Sequence, residues 1–181
     1  MRALLVIDVQ QGFVDAGNFA AMVDRIEQLV HVFKKNNEPV FFIRHHDEDS
    51  HSLIQEGTPG SKICCQLAPY VTDTVAKRLP SAFYHTDLNS KLEKATIDEV
   101  VLCGFNAEYC ILFNAVAAFE HEYKVCVVED ACASVNTGEN YEMNDLDIRD
   151  FVCTVLYNSG EVTVNDLSEF LQKSQDEYAP N

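Results

Sequence analysis

Basic residues are scarce in this chain: 13 Lys plus Arg stand against 29 Asp plus Glu, a formal charge of −16. Phosphate binding needs clustered Lys and Arg to displace counterions, and the local basic groups here are only Lys34-Lys35 and Lys77-Arg78. That balance argues against nucleic acid as the main partner. Long apolar runs are missing too; none reaches the ~18 residues of a membrane span, so no membrane is expected as a partner. Met1-Arg2-Ala3 passes straight into Leu4-Leu5-Val6-Ile7-Asp8 without a signal-peptide cleavage pattern, and the expected location is the cytoplasm. No C-x-x-C pair occurs among the seven cysteines (64, 65, 103, 110, 126, 132 and 153), which leaves zinc ribbons and thioredoxin-like redox motifs unsupported. Several of these thiols sit in apolar runs, where a free Cys behaves as a small hydrophobe. Internal repeats, low-complexity tracts and linkers are also absent.

What is present is the composition of a folded chain. A hydrophobic share of 47% with 10% aromatic residues is too high for disorder, and 181 residues suit one domain spanning 1–181. Short β-branched runs alternate with segments of helical period. Ala3 to Ile7, Pro39 to Ile43, Thr74 to Ala76, Val100 to Cys103, Val125 to Val128 and Cys153 to Leu156 read as strands. Ala20 to Lys35, Thr86-Asp87-Leu88 through Lys94, Glu108 to His121, Tyr141 to Phe151 and Val164 to Leu171 read as helices, with a polar, flexible tail over 173–181. Arg44 to Pro69, with Gly57, Pro59, Gly60 and Pro69, reads as a long loop of the kind that usually serves as a lid or binding segment. Strands apolar on both faces and alternating with helices imply an α/β three-layer sandwich: a six-stranded, mostly parallel sheet covered by helices on both sides.

In open α/β sheets ligands bind beyond the carboxyl ends of the strands. Asp8 follows the first strand, Lys77 follows the third, and Cys110 lies just after the fourth, in the first turn of its helix. Singly, an Asp there is often a helix cap, a Lys is usually solvated and a Cys on an Ala-rich helix is usually core. Together they make a nucleophilic set: the helix dipole and Lys77 would favour a Cys110 thiolate, and Asp8 would take the thiol proton and return it to a leaving group.

Three segments carry a resemblance: Leu4-Leu5-Val6-Ile7-Asp8-Val9-Gln10-Gln11-Gly12-Phe13; Lys77 with Ser81-Ala82-Phe83 and Thr86-Asp87-Leu88; and Gly104-Phe105-Asn106-Ala107-Glu108-Tyr109-Cys110. They resemble, in order and spacing from Ala3 to about Leu156, the signature segments of the isochorismatase-like cysteine hydrolases, which include nicotinamidase, N-carbamoylsarcosine amidase and isochorismatase. The resemblance implies an Asp8-Lys77-Cys110 triad. It also implies a cis peptide between Phe105 and Asn106, and an oxyanion hole from the amides of Asn106 and Cys110. Phe13, Phe83 and Tyr109 are candidate walls of a pocket for a small-molecule substrate, although core packing explains Phe13 and Phe83 equally well.

Departures from the family pattern matter as well. Metal-binding nicotinamidases carry Asp-x-His after the second strand, whereas this chain has Arg44-His45-His46-Asp47-Glu48-Asp49-Ser50-His51. A metal on His45, Asp47, Asp49 and His51 is chemically conceivable, but such groups in acidic loops are more often solvated, so neither metal nor other cofactor is expected. The segment Gln55-Glu56-Gly57-Thr58-Pro59-Gly60-Ser61 looks more like the metal-free branch, in which this loop closes over the site and partner subunits often contribute.

The expected activity is hydrolysis of a small amide or ureide C–N bond. One alternative is isochorismatase-type vinyl ether hydrolysis, which needs the acid but no thiol; another is a non-catalytic relative that senses oxidants through Cys110. The family resemblance further implies a homo-oligomer, a dimer or larger. Tyr109, Ile111, Leu112, Phe113, Val116 and Phe119 line more than one face of their helix, as a subunit contact or a central core position would require.

Overall fold

The computed structural model describes residues 1–177, with side chains as far as Ser174. Six strands form one sheet: β1 (Arg2–Ile7), β2 (Val40–His45), β3 (Thr74–Lys77), β4 (Glu99–Gly104), β5 (Lys124–Cys132) and β6 (Val162–Asn165). Their spatial order is β3-β2-β1-β4-β5-β6, and every pairing is parallel. The central strands β1 and β4 are buried on both faces, as parallel strands with helices on each side must be, whereas the edge strands β3 and β6 mix buried and exposed residues. Alternate residues feed two cores. Leu5, Ile7, Val100 and Leu102 face α3 (Leu88–Lys94), α4 (Leu112–Glu120) and α5 (Ile148–Asn158). Leu4, Val6, Val101 and Cys103 face α2 (Ala20–Lys35) and α6 (Leu167–Glu177), while a single turn, α1 (Gln11–Val14), follows β1. Strand order reverses between β1 and β4, so a crevice opens at their carboxyl ends. Among the described residues no helix is long and apolar enough to cross a membrane.

The carboxyl-terminal third differs from the expectation. Cys153 to Leu156 is not a strand; it belongs to α5, where Ile148, Val152, Cys153 and Leu156 are buried at helical spacing. A short run with three apolar residues around Thr154 fits a strand or a helix equally, and here the Asp147 side chain decides it by accepting from Asp150 N as an N-cap. The sixth strand is instead Val162–Asn165, in register with β5 through Val125 and Val162, and the following helix starts at Leu167 rather than Val164. The helix expected from Tyr141 begins only at Ile148: Tyr141 closes a short turn of 3-10 helix (Gly138–Tyr141), and Glu142 then turns left-handed at φ 57°. The tail expected from Lys173 is helical as far as Glu177, and residues 178–181 lie outside the described residues.

The loop after β2 is stitched to the segment after β1. Gln11 N donates to Lys62 O and Cys64 N to Val9 O. A Cβ on Gly12 would stand 1.9 Å from Leu53 O, so this close approach requires glycine.

Candidate active site

The crevice is built by strand ends. Asp8 follows β1 in the left-handed region at φ 53°, which Asp tolerates better than most residues, and its N–H donates to Ile43 O at 3.0 Å. β4 ends at Gly104, φ 120°, where a Cβ would lie 2.0 Å from Ile7 O; glycine lets β1 and β4 touch here. The Phe105–Asn106 peptide that follows is cis, and the chain enters a five-residue π-helical turn, Ala107–Ile111, carrying Cys110. π turns inside helices recur at functional sites. The residues named by the family resemblance meet in this crevice. Lys77 Nζ donates to Asp8 Oδ2 at 2.7 Å and to Cys110 Sγ at 3.2 Å, with Asp8, Lys77 and Cys110 only 0%, 2% and 6% exposed.

A fourth group joins them. His45, the last residue of β2, places Nδ1 2.9 Å from Lys77 Nζ. From the sequence alone, His45 stands only as a candidate metal ligand. Its position at a strand end, like that of Asp8, was the signal that could have found it.

The electrostatics follow from burial. Burial and the charge of Asp8 outweigh the pull of Lys77 and push the Cys110 thiol up to about 12. This environment favours the neutral thiol over the thiolate that a helix start and a nearby lysine would suggest, because burial removes the solvent an anion needs. Burial alone would lower Lys77, but Asp8 and Cys110 reverse that and hold the ammonium. Burial and then Lys77 keep His45 below the usual imidazole range, hence neutral. Asp8 Oδ1 is buried and has no hydrogen-bond partner among the described residues, an open acceptor beside the thiol.

The segment 106–110 is held from the loop after β5. Asn106 Oδ1 accepts from Val135 N at 2.9 Å, Ala107 N donates to Ala133 O at 2.9 Å, and no acceptor for Asn106 N–H is found among the described residues. Glu108 Oε1 accepts from Ser134 Oγ at 2.7 Å and Asn136 Nδ2 at 2.8 Å. Asn114 sits fully buried in α4, accepting from Ala82 N and donating to Cys110 O and Pro80 O; it ties the segment after Lys77 to the Cys110 turn. Sequence reasoning missed Glu108 and Asn114, although an Asn inside an Ala-rich apolar helix was a legible sign of a buried polar anchor.

The candidate pocket walls divide. Phe13 packs on the Phe105 ring at 5.8 Å, and Phe19, unforeseen, meets the same ring edge-on at 4.9 Å. Tyr109 is 42% exposed, its hydroxyl 2.7 Å from that of Tyr141. Phe83 stacks instead on His121, just past the far end of α4, and meets Tyr123 at a tilt; it packs on the core, and the Asn114 anchor on Ala82 directs the chain there.

The acidic loop does not gather a metal site. Asp47 Oδ1 accepts from Asp49 N and Asp49 Oδ1 from His51 N, so both carboxylates close their own turns. Among the described residues the one group of three metal-capable side chains is Asp8, His45 and Cys110, with donor atoms within 4.8 Å of one another. The Lys77 ammonium hydrogen-bonds to all three, so a cation already stands among these donors and the residues present do not fit a metal.

Comparison with known proteins identifies the family of the chain. The chain is 34% identical over 139 residues to the uncharacterized isochorismatase family protein YddQ of Bacillus subtilis, covering 73% of this chain and 77% of YddQ. It is 30% identical to nicotinamidase 3 of Arabidopsis thaliana, over 75% of each chain. The crystal structure of the nicotinamidase PncA from Bacillus subtilis superposes with a TM-score of 0.77 at 26% identity, covering 91% of this chain and 99% of that one. The isochorismatase domain model matches residues 2–156, from the first strand through the crevice to α5, and the chain belongs to the isochorismatase family of hydrolases.

Proposed function

We propose that this protein hydrolyses a small amide or ureide C–N bond through Cys110. The observation that carries the reading is one ammonium, Lys77 Nζ, bridging a buried thiol at 3.2 Å and a buried carboxylate at 2.7 Å. As the substrate carbonyl arrives, Asp8 takes the thiol proton and Sγ attacks the carbonyl carbon. The amides of Asn106 and Cys110 hold the oxyanion, a contribution of about 3 kcal/mol per donor. The intermediate collapses as Asp8 protonates the leaving nitrogen, giving an amine and a thioester on Cys110. Water then attacks the thioester while Asp8 takes its proton; the acid leaves and the proton returns to sulfur. Lys77 stays an ammonium throughout and steadies whichever of its two partners is anionic.

A thiol at this position favours acyl transfer over vinyl ether cleavage, which needs only an acid, and the relationship to a nicotinamidase points the same way. The test is a panel of nicotinamide, carbamoyl-amines, ureidoacrylate-like compounds and isochorismate, with acid-quenched protein analysed for a thioester on Cys110. A thioester with amine release supports the reading. Turnover of isochorismate alone assigns ether hydrolysis, and Cys110 recovered only as sulfenic acid or disulfide assigns oxidant sensing.

The same reading includes a homo-oligomer. Phe113, Val116 and Phe119 are each 45–50% exposed on α4, an apolar stripe of the kind that marks contacts, while Ile111 is buried. Sedimentation should give a mass above the 20.4 kDa of one chain at micromolar concentration; a monomer there would refute it.

A further inference from the structure

The three N–H bonds of the Lys77 ammonium meet three acceptors: Asp8 Oδ2, Cys110 Sγ and His45 Nδ1. The first two belong to the proposed chemistry; the third has no role in it. Yet His45, the last residue of β2, is held firmly in place. In the parallel register of β2 and β3 it is the Cα partner of Lys77, which puts the two side chains on the same face of the sheet. Gln10, fully buried two residues after Asp8, clamps the backbone of His45 from both sides. Its Oε1 accepts from His45 N at 2.9 Å, and its Nε2 donates to His45 O at 3.0 Å and to Ser61 O at 2.8 Å.

We infer that His45 is a positioning residue, whose Nδ1 lone pair takes the third ammonium N–H of Lys77 and so aims the other two at Asp8 and Cys110. Only a neutral ring with its proton on Nε2 can do this, because a protonated Nδ1 would present a hydrogen to an ammonium. Burial and the adjacent Lys77 charge both favour that neutral form. Without the acceptor, an ammonium closed off from solvent would have two partners for three donors, and would turn or shed its proton in search of balance. Cys110 Sγ would then lose part of the only cation that favours its anion. The inference rests on the reading of Cys110 as nucleophile, but it can be tested without a substrate.

The test compares His45→Asn with His45→Leu in the full chain. Asn Oδ1 is as many bonds from Cβ as His Nδ1 and keeps an acceptor there, whereas Leu fills similar space with a methyl group. The readout is the rate of Cys110 alkylation by iodoacetamide at pH 8, followed by peptide mass spectrometry, together with kcat and KM on any amide the panel identifies. The Leu variant should react about tenfold or more slowly and lose kcat with little change in KM, while Asn stays within about threefold of the parent protein. A merely structural role would lower both variants alike. Leu reacting like the parent, or Asn falling as far as Leu, overturns the inference. If the Leu variant does not fold, His45→Ala, which also lacks the acceptor, takes its place in the comparison with the same expected loss. If no amide is turned over but the alkylation difference holds, the proposed hydrolysis fails and the positioning role stands; turnover without that difference gives the reverse.

Discussion

Two buried ion pairs lie at opposite ends of the sheet, and they are finished differently. At the amino end of β1, Arg2 meets Glu38 through two parallel bonds of 3.0 Å, donates a third of 3.0 Å to Ser174 Oγ, and lies against the rings of Phe33 and Phe170. At the carboxyl end, Asp8 and Lys77 share one bond of 2.7 Å; the ammonium spends its remaining donors on a thiol and an imidazole, and Asp8 Oδ1 is left without a partner. The first pair is satisfied with planar, bidentate geometry and can only hold the fold. The second keeps a vacant acceptor next to a proton donor and can change protonation state during a reaction. A buried carboxylate with an unused oxygen is costly to a fold, and such costs are tolerated where chemistry needs them.

The difference can be broken from either end. Cys110→Ala should remove amide hydrolysis by at least about a thousandfold while leaving urea stability nearly unchanged, since both ionic partners remain. Turnover above a trace would sink the thiol mechanism. Lys77→Met comes next and should damage both properties. It strands Asp8 in a site with no solvent access, at a cost of about 3–5 kcal/mol in urea unfolding. It should also slow Cys110 alkylation at every pH, because the only cation lowering that thiol is gone. In the parent protein the alkylation rate should climb about tenfold per pH unit through pH 10, as expected below a thiol pushed up to about 12; a plateau near neutrality would show a preformed thiolate.

Arg2→Met should separate the two pairs. It leaves Glu38 buried without its bidentate partner and should lower stability by about 3–5 kcal/mol, yet kcat of the remaining folded protein should stay within about twofold. A large fall in kcat would mean that the amino end of the sheet is coupled to the crevice. The smallest effect is expected from chelation. Prolonged treatment with EDTA should leave hydrolysis unchanged, because the donors that could bind an ion are already bonded to Lys77. Loss of activity restored by zinc would return the loop from His45 to His51 to the site.

Particular residues show why much of this was legible and some was not. β1, β4 and the Val125 to Val128 part of β5 announce themselves because strands covered on two faces read as near-continuous apolar runs. Asp8, Lys77 and Cys110 stood out through the rule that chemistry gathers beyond strand ends, reinforced by their family segments. Cys153 to Leu156 misled because so short a segment carries no period of its own; the Asp147 cap and the burial of Ile148 and Val152 settled it as helix. Phe83 could be read as pocket wall or core from sequence alone; its stacking on His121 follows from the Asn114 bond to Ala82, which no local pattern shows.

By itself the sequence determined the alternating α/β order, the acidic surface and the chemical types available to a crevice, since these depend on local period and on composition. Tertiary structure alone decided that residues 69 and 33 positions apart should meet on one ammonium, and that His45 should join them. Parallel register is a property of strand pairs, not of strands, and it is register that sets His45 beside Lys77 and Ile7 beside Gly104. The surroundings that raise the Cys110 thiol were set there too. A helix start and a nearby lysine predict a thiolate, but the depth at which folding buries the sulfur beside Asp8 favours the thiol.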